Sequence, residues 1–153
     1  MTDRSVIHAS FSIERDYPVS PARVFAAWAD PAAKARWFAG AEAEHHELDF
    51  RHGGSEINRG RRAGGPLLTF ESRYHDIVEG ERIVYSSVLS VEENPVTASL
   101  TTVQFRPEGR GTRLLLTEQG TFLDGHEDPA WREEGTGSWL AALAVELGVP
   151  AAR

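Results

Sequence analysis

The feature that most constrains this chain is a mismatch between β-segments and helix. About six stretches in succession carry strand patterning, and one long helical pattern follows them. Before them come one further strand and two short helices. Phe11 and Ile13 alternate with polar neighbours in a first strand that ends near Tyr17-Pro18. Ser20-Pro21 has the form of an N-cap followed by proline at the first helical position. Val24, Phe25 and Trp28 fall at helical spacing, so Pro21 to Ala29 is a short amphipathic helix, and Asp30-Pro31 starts a second that runs to about Trp37.

From Glu44 the period is two, with His46, Leu48 and Phe50 on one face and Glu47, Asp49 and Arg51 on the other. Gly53-Gly54 breaks that strand. Further strands carry Ser55 and Ile57, Leu68 to Ile77, Arg82 to Leu89, and Thr97 to Arg106 with Ser99, Thr101, Val103 and Phe105 on one side. Glu93-Asn94-Pro95 and Glu108-Gly109-Arg110-Gly111 are read as turns. Thr112, Leu114, Leu116 and Glu118 alternate along the last strand. From about Pro129, capped by Asp128, to Leu147 the period is helical, with Trp139, Leu140, Leu143, Ala144 and Leu147 on one stripe and Gly148 as the stop.

Strands joined by short turns pair antiparallel. Their apolar face has to be buried on the helix, yet a helix about ten ångströms wide cannot cover so many strands. The sheet must therefore curl around the helix, with the two short helices plugging part of the opening, and a curled sheet readily leaves an internal space. The fold class is α+β: a curved antiparallel sheet wrapped around a long C-terminal helix.

Bulk properties agree. The 153 residues suit one domain, 1–153, and 41% apolar with 25% charged residues is a globular composition. The absence of cysteine excludes disulfides and thiolate metal sites and makes a reducing cytoplasm the expected compartment. Met1 to Asp16 has no apolar core of a signal peptide, and no apolar run approaches the ~20 residues of a membrane span. The net charge of −7 argues against nucleic acid as a partner. Arg59, Arg61 and Arg62 form the only basic cluster and read as a solvated hairpin end.

Several segments resemble the helix-grip superfamily, START-type or SRPBCC, and within it the bacterial proteins named after an activator of a heat-shock chaperone ATPase. Pro21 through Pro31 is similar to that family's opening helix and Asp-Pro turn, and Trp37-Phe38 to the aromatic pair that follows. Asp49-Phe50-Arg51-His52-Gly53-Gly54 resembles an Asp-x-Arg-Pro-Gly-Gly motif, with His52 where proline is usual. Glu81 to Tyr85, Gly111 to Leu114 and Gly135 to Leu147 resemble later strands and the terminal helix. The resemblance implies a Bet v-like scaffold with a pocket for a hydrophobic ligand. It does not extend to the extra N-terminal domain with which the activator proper contacts its chaperone, so co-chaperone activity is not expected.

Chemistry is sparse by comparison. His45 and His46 are adjacent on a strand and cannot share a metal, and His45, Glu47 and Asp49 share a face that alternation turns outward, so no metal site is expected. His126-Glu127-Asp128 reads as an exposed loop plus an N-cap. No Gly-x-Ser-x-Gly elbow occurs, and the glycines from Gly60 to Gly65 lack the Lys-Ser/Thr ending of a phosphate loop. Core packing is the expectation for the aromatic set, Trp131 included, with Trp37, Phe38 and Trp139 near the mouth. Tyr17 and Arg82 are read as structural.

Glu118 is the informative polar residue. A carboxylate on an apolar face is costly unless paired, hydrated or neutralised. Either it lines a wet cavity, or the strand twists and releases it to solvent near Gly120. The first expectation is binding of a small apolar or aromatic molecule, without a cofactor, by Trp37, Phe38, Phe50, Phe70, Tyr74, Tyr85, Glu118, Trp139 and Leu143. The second is an enzyme on this scaffold (a cyclase, dehydratase or hydrolase) with Glu118 as acid/base; no residue is assigned as catalytic. The third is a protein-interaction module without ligand. A homodimer through an edge strand is open.

Overall fold

The computed structural model describes residues 4–61 and 63–150; Arg62 of the basic cluster lies outside them. Its seven strands are β1 (Val6–Tyr17), β2 (Ala43–Leu48), β3 (Ser55–Gly60), β4 (Leu68–Val78), β5 (Arg82–Val91), β6 (Asn94–Glu108) and β7 (Gly111–Leu123). The helices are α1 (Pro21–Ala29), α2 (Pro31–Lys34) and α3 (Pro129–Glu146). All seven strands form one antiparallel sheet in the order β1-β7-β6-β5-β4-β3-β2. Six inter-strand intervals at ~4.8 Å make it roughly 29 Å across, far wider than one helix. Register shifts in three pairings, including one between Tyr74 and Asp76, supply local bends.

The caps form as expected. Ser20 and Asp30 accept from Arg23 N and Ala33 N, and Asp128 accepts from Ala130 N. The second helix is shorter than expected: α2 ends at Lys34 and the chain continues as a π-helical turn over Ala35–Ala39. That wider turn accompanies the burial of Trp37 and Phe38, and Trp37 Nε1 donates to Ala27 O at 2.8 Å. The turn expected at Glu93-Asn94-Pro95 falls instead at Glu92–Glu93, with Glu92 at φ 53°. Pro95 lies near the start of β6 opposite a register shift, where a missing N–H is tolerated.

The core joins the concave face of the sheet to α1, the π-turn and α3. Val24, Phe25 and Trp28 of α1 and Leu140, Leu143 and Ala144 of α3 pack with Ile13, Ile83, Val103, Leu114 and Leu116. Tyr17 is structural as expected: its hydroxyl donates to Leu140 O at 2.9 Å, tying β1 to α3. Arg82 pairs with Asp76 at the surface.

Two glycines of the Asp-x-Arg-x-Gly-Gly segment have separate reasons. Gly53 sits at φ 75°, which favours glycine. Gly54 is in close backbone contact: a Cβ there would strike Asp49 O. This turn delivers Gly53 N to Tyr74 O and Gly54 O to Tyr74 N, so it extends the sheet beside Tyr74.

Trp131 departs from the expectation of core packing. It is 63% exposed, because its place near the N-terminus of α3 is on the face opposite Arg132 and Thr136.

Candidate functional site

Because strands alternate, the register fixes what the concave face presents to α3. One cross-strand line runs Tyr74, Tyr85, Thr101, Glu118, Phe11 over β4-β5-β6-β7-β1. The next inward-facing line runs Leu48, Glu56, Ser72, Ser87, Ser99, Gly120, Ala9 across all seven strands. From β4 to β1 this second line contains nothing larger than serine. The line beyond it is bulky again: Phe70, Leu89, Thr97 and Phe122. The result is a low band between two raised rows. Phe122 partly roofs one end, since a Cβ on Gly120 would lie 2.8 Å from its ring.

Above the band, Phe38, Phe70 and Trp139 form a contiguous aromatic group. Their centroids are 4.5 Å apart for Phe38–Trp139, 5.7 Å for Phe38–Phe70 and 5.9 Å for Phe70–Trp139. Trp37 adjoins Phe38 at 5.9 Å. On the other side, Phe50, Tyr74 and Tyr85 follow at 5.0 and 5.8 Å. Of the nine residues singled out from the sequence, Trp37, Phe38, Phe70, Tyr74 and Leu143 belong to the core, Phe50, Tyr85 and Trp139 pack against it, and Glu118 is buried. They are not equally packed. Phe50, Tyr85 and Trp139 are only half-buried, as are Phe11, Leu89 and Ser99 on the same concave face.

Glu118 resolves inward. It is buried, accepts from Thr101 Oγ1 at 3.1 Å and from Arg132 Nη1 at 3.0 Å, and is not released to solvent near Gly120. Burial raises its carboxyl above the ordinary range, and Arg132 opposes that rise without cancelling it. Arg132 also donates from Nε and Nη2 to Glu127 at 3.2 and 3.0 Å, while Thr97 Oγ1 donates to Glu127. Glu127 is therefore a half-buried partner rather than part of an exposed loop; His126 beside it is exposed. The guanidinium carbon of Arg132 stands 5.9 Å from the Phe70 ring centre.

A second ionic cluster was not anticipated. Lys34 Nζ lies 2.8 Å from Glu56 Oε1, and both side chains are 2% exposed. His46 Nε2 lies 2.8 Å from Glu56 Oε2, and Tyr74 donates to Oε1 at 3.4 Å. The ammonium also sits 4.4 Å from the Phe38 ring centre, 5.2 Å from Trp28 and 5.5 Å from Trp37, within cation–π range. Burial raises the Glu56 carboxyl, but Lys34 and then His46 outweigh it and hold it below the ordinary range. Tyr85 lies between the two clusters. Burial pushes its phenol far up, with Glu118 and then Glu56 adding to the rise.

Lys34, Glu56, Arg132 and Glu127 are the polar residues that sequence reasoning missed. Arg132 had a signal: it continues the stripe Thr136, Leu140, Leu143, Leu147 at helical spacing. Glu56 was hidden by Ile57, whose hydrophobicity claims the inward position that β3 gives to Glu56.

The expected opposition of His45 and His46 holds in space. His45 meets exposed Glu47 at 3.5 Å, while His46 turns in to Glu56. Among the described residues no three His, Asp or Glu side chains are grouped to hold a metal ion. Nor, among them, is any helix long and apolar enough to cross a membrane.

The family model for Activator of Hsp90 ATPase homolog 1-like protein matches residues 18–148. Two solved structures are similar in sequence as well as shape. The Mll3558 protein from Rhizobium loti is 48% identical with a TM-score of 0.88, covering 93% of this chain and 99% of its own. A putative uncharacterized protein from Rhizobium leguminosarum is 43% identical with a TM-score of 0.92, covering 96% and 99%. An HSP90 activator from Plasmodium falciparum, at 22% identity, shares the fold with a TM-score of 0.63 over 92% of this chain and 97% of its own. No curated protein matches the sequence.

Proposed function

Since this chain belongs to the family of Activator of Hsp90 ATPase homolog 1-like proteins and has the helix-grip fold, we propose that it binds a small apolar or aromatic molecule between its sheet and α3. The observation that carries this reading is the half-burial of Tyr85, Leu89, Ser99 and Trp139 on the inward side. A close-packed interior would leave such residues no accessible surface. Half-buried Ser99, beside Gly120 and Ala9 in the low band, supports the same reading, because small side chains keep that part of the sheet face low. Aromatic walls with few polar groups are the usual lining of small-molecule sites.

Glu118 is held by Arg132 and Thr101, which suits it to orienting a ligand. Trp37, Phe38, Phe70 and Tyr74 are already packed ring against ring, so in this reading they shape the wall while Tyr85, Trp139 and Phe50 offer surface. Native mass spectrometry of the protein purified from its source tests this: a co-purified small molecule, lost on mild denaturation, is expected. Absence of any such adduct, together with no binding of naphthalene by the emptied protein, refutes it.

A further inference from the structure

The ion pair under α3 is only partly used, and what is left over selects a ligand chemistry. A guanidinium has five N–H donors. In Arg132, one each on Nε, Nη1 and Nη2 is engaged, by Glu127 and Glu118. Two N–H groups have no partner among the described residues, on a side chain only 5% exposed. Glu118 mirrors this. It accepts from Thr101 and from Arg132, and an ionised carboxylate has about four lone-pair sites. Spare donors and spare acceptors thus sit side by side, next to Phe70 and above the serine band.

The charges narrow the choice. Arg132 carries one positive charge against Glu118 and Glu127, so the ionised cluster has a surplus negative charge. A ligand anion would add to that surplus in a poorly screened place. A ligand cation would face the unused guanidinium N–H groups at contact distance. A neutral group that both donates and accepts meets both halves of the pair and unbalances neither.

We propose, on the reading of an interior ligand given above, that this ligand carries a hydroxyl on an apolar ring-sized body, the hydroxyl donating to Glu118 and accepting from Arg132. The ring then lies over half-buried Ser99, against Phe70 and Trp139.

Four probes of one shape test it by calorimetric titration of the full chain at neutral pH: naphthol, naphthalene, naphthoate and naphthylmethylammonium. Naphthol is expected to bind at least about tenfold tighter than each of the others. Naphthol no tighter than naphthalene, or naphthoate or the ammonium as the tightest probe, overturns the hydroxyl assignment while leaving the interior site standing. Binding of none of the four overturns the interior site itself. Glu118→Gln removes the surplus charge and keeps the shape, so naphthoate should gain about tenfold over its wild-type affinity. No gain in a variant that still binds naphthalene refutes the charge argument.

Discussion

Replacing Lys34 with methionine is the sharpest test of how this interior is held. Methionine keeps most of the length and apolar bulk against Trp28, Trp37 and Phe38 but leaves Glu56 without its cation. Lys34 and Glu56 meet at 2.8 Å with 2% of each side chain exposed, and breaking a pair so buried costs about 3–5 kcal/mol. For a chain of this size, with a urea slope of about 1–3 kcal/mol/M, the midpoint should fall by about 2 M.

The cost should depend on pH in a definite direction. In the wild type the Glu56 carboxyl is held below its ordinary value, so its stabilising contribution is full above the unfolded value, about 4.3, and is lost as pH falls through the depressed folded one. Burial is the largest influence on Glu56 and Lys34 the first that opposes it, so without Lys34 the folded value rises from its depressed level, against the remaining pull of His46. The penalty of Lys34→Met should therefore be greatest at neutral pH and shrink as pH falls toward 4, where the carboxylate is protonated. Urea unfolding followed by tryptophan fluorescence between pH 4 and pH 8 measures both curves. A penalty below about 1 kcal/mol at neutral pH, or one that does not shrink toward pH 4, would show that Glu56 does not depend on Lys34.

Other expectations concern neighbouring features. Gly54→Ala should cost at least about 2 kcal/mol, since its Cβ would strike Asp49 O; a near-neutral thermal melt would contradict that contact. Gly135→Ala, whose Cβ would meet nothing within 4 Å, should stabilise α3 by about 1 kcal/mol and raise Tm by a few degrees. Arg132→Met leaves Glu118 and Glu127 without their shared cation and should destabilise by about 3–5 kcal/mol at neutral pH, less at pH 4, as read by urea unfolding.

The fold was legible because the signals that set it are local. Alternation marked strands, Ser20, Asp30 and Asp128 marked helix starts, and the ratio of strand to helix forced curvature. The inward face of Glu118 was legible for the same reason, since alternation along Thr112, Leu114 and Leu116 carries on to it. The ionic interior was not. Lys34 ends a four-residue helix, a place where a lysine is ordinarily solvated, and its partner Glu56 is on a distant strand. Nothing local distinguishes a lysine that snorkels outward from one whose carboxylate waits inside. The exposure of Trp131 is a similar case: side-chain size favoured the core, while its angular place on α3 decided otherwise.

The pairing of β1 with β7 has a consequence for how the molecule is made. Val6 is registered against Leu123 and Tyr17 against Thr112, so the earliest of the seven strands waits for the last of them before it has a neighbour in the sheet. Closure by such distant segments is slow to nucleate because chain entropy is lost before contacts repay it. The meander from β2 to β7 can zip up hairpin by hairpin in the meantime. The docking of β1 along β7 is therefore the step expected last.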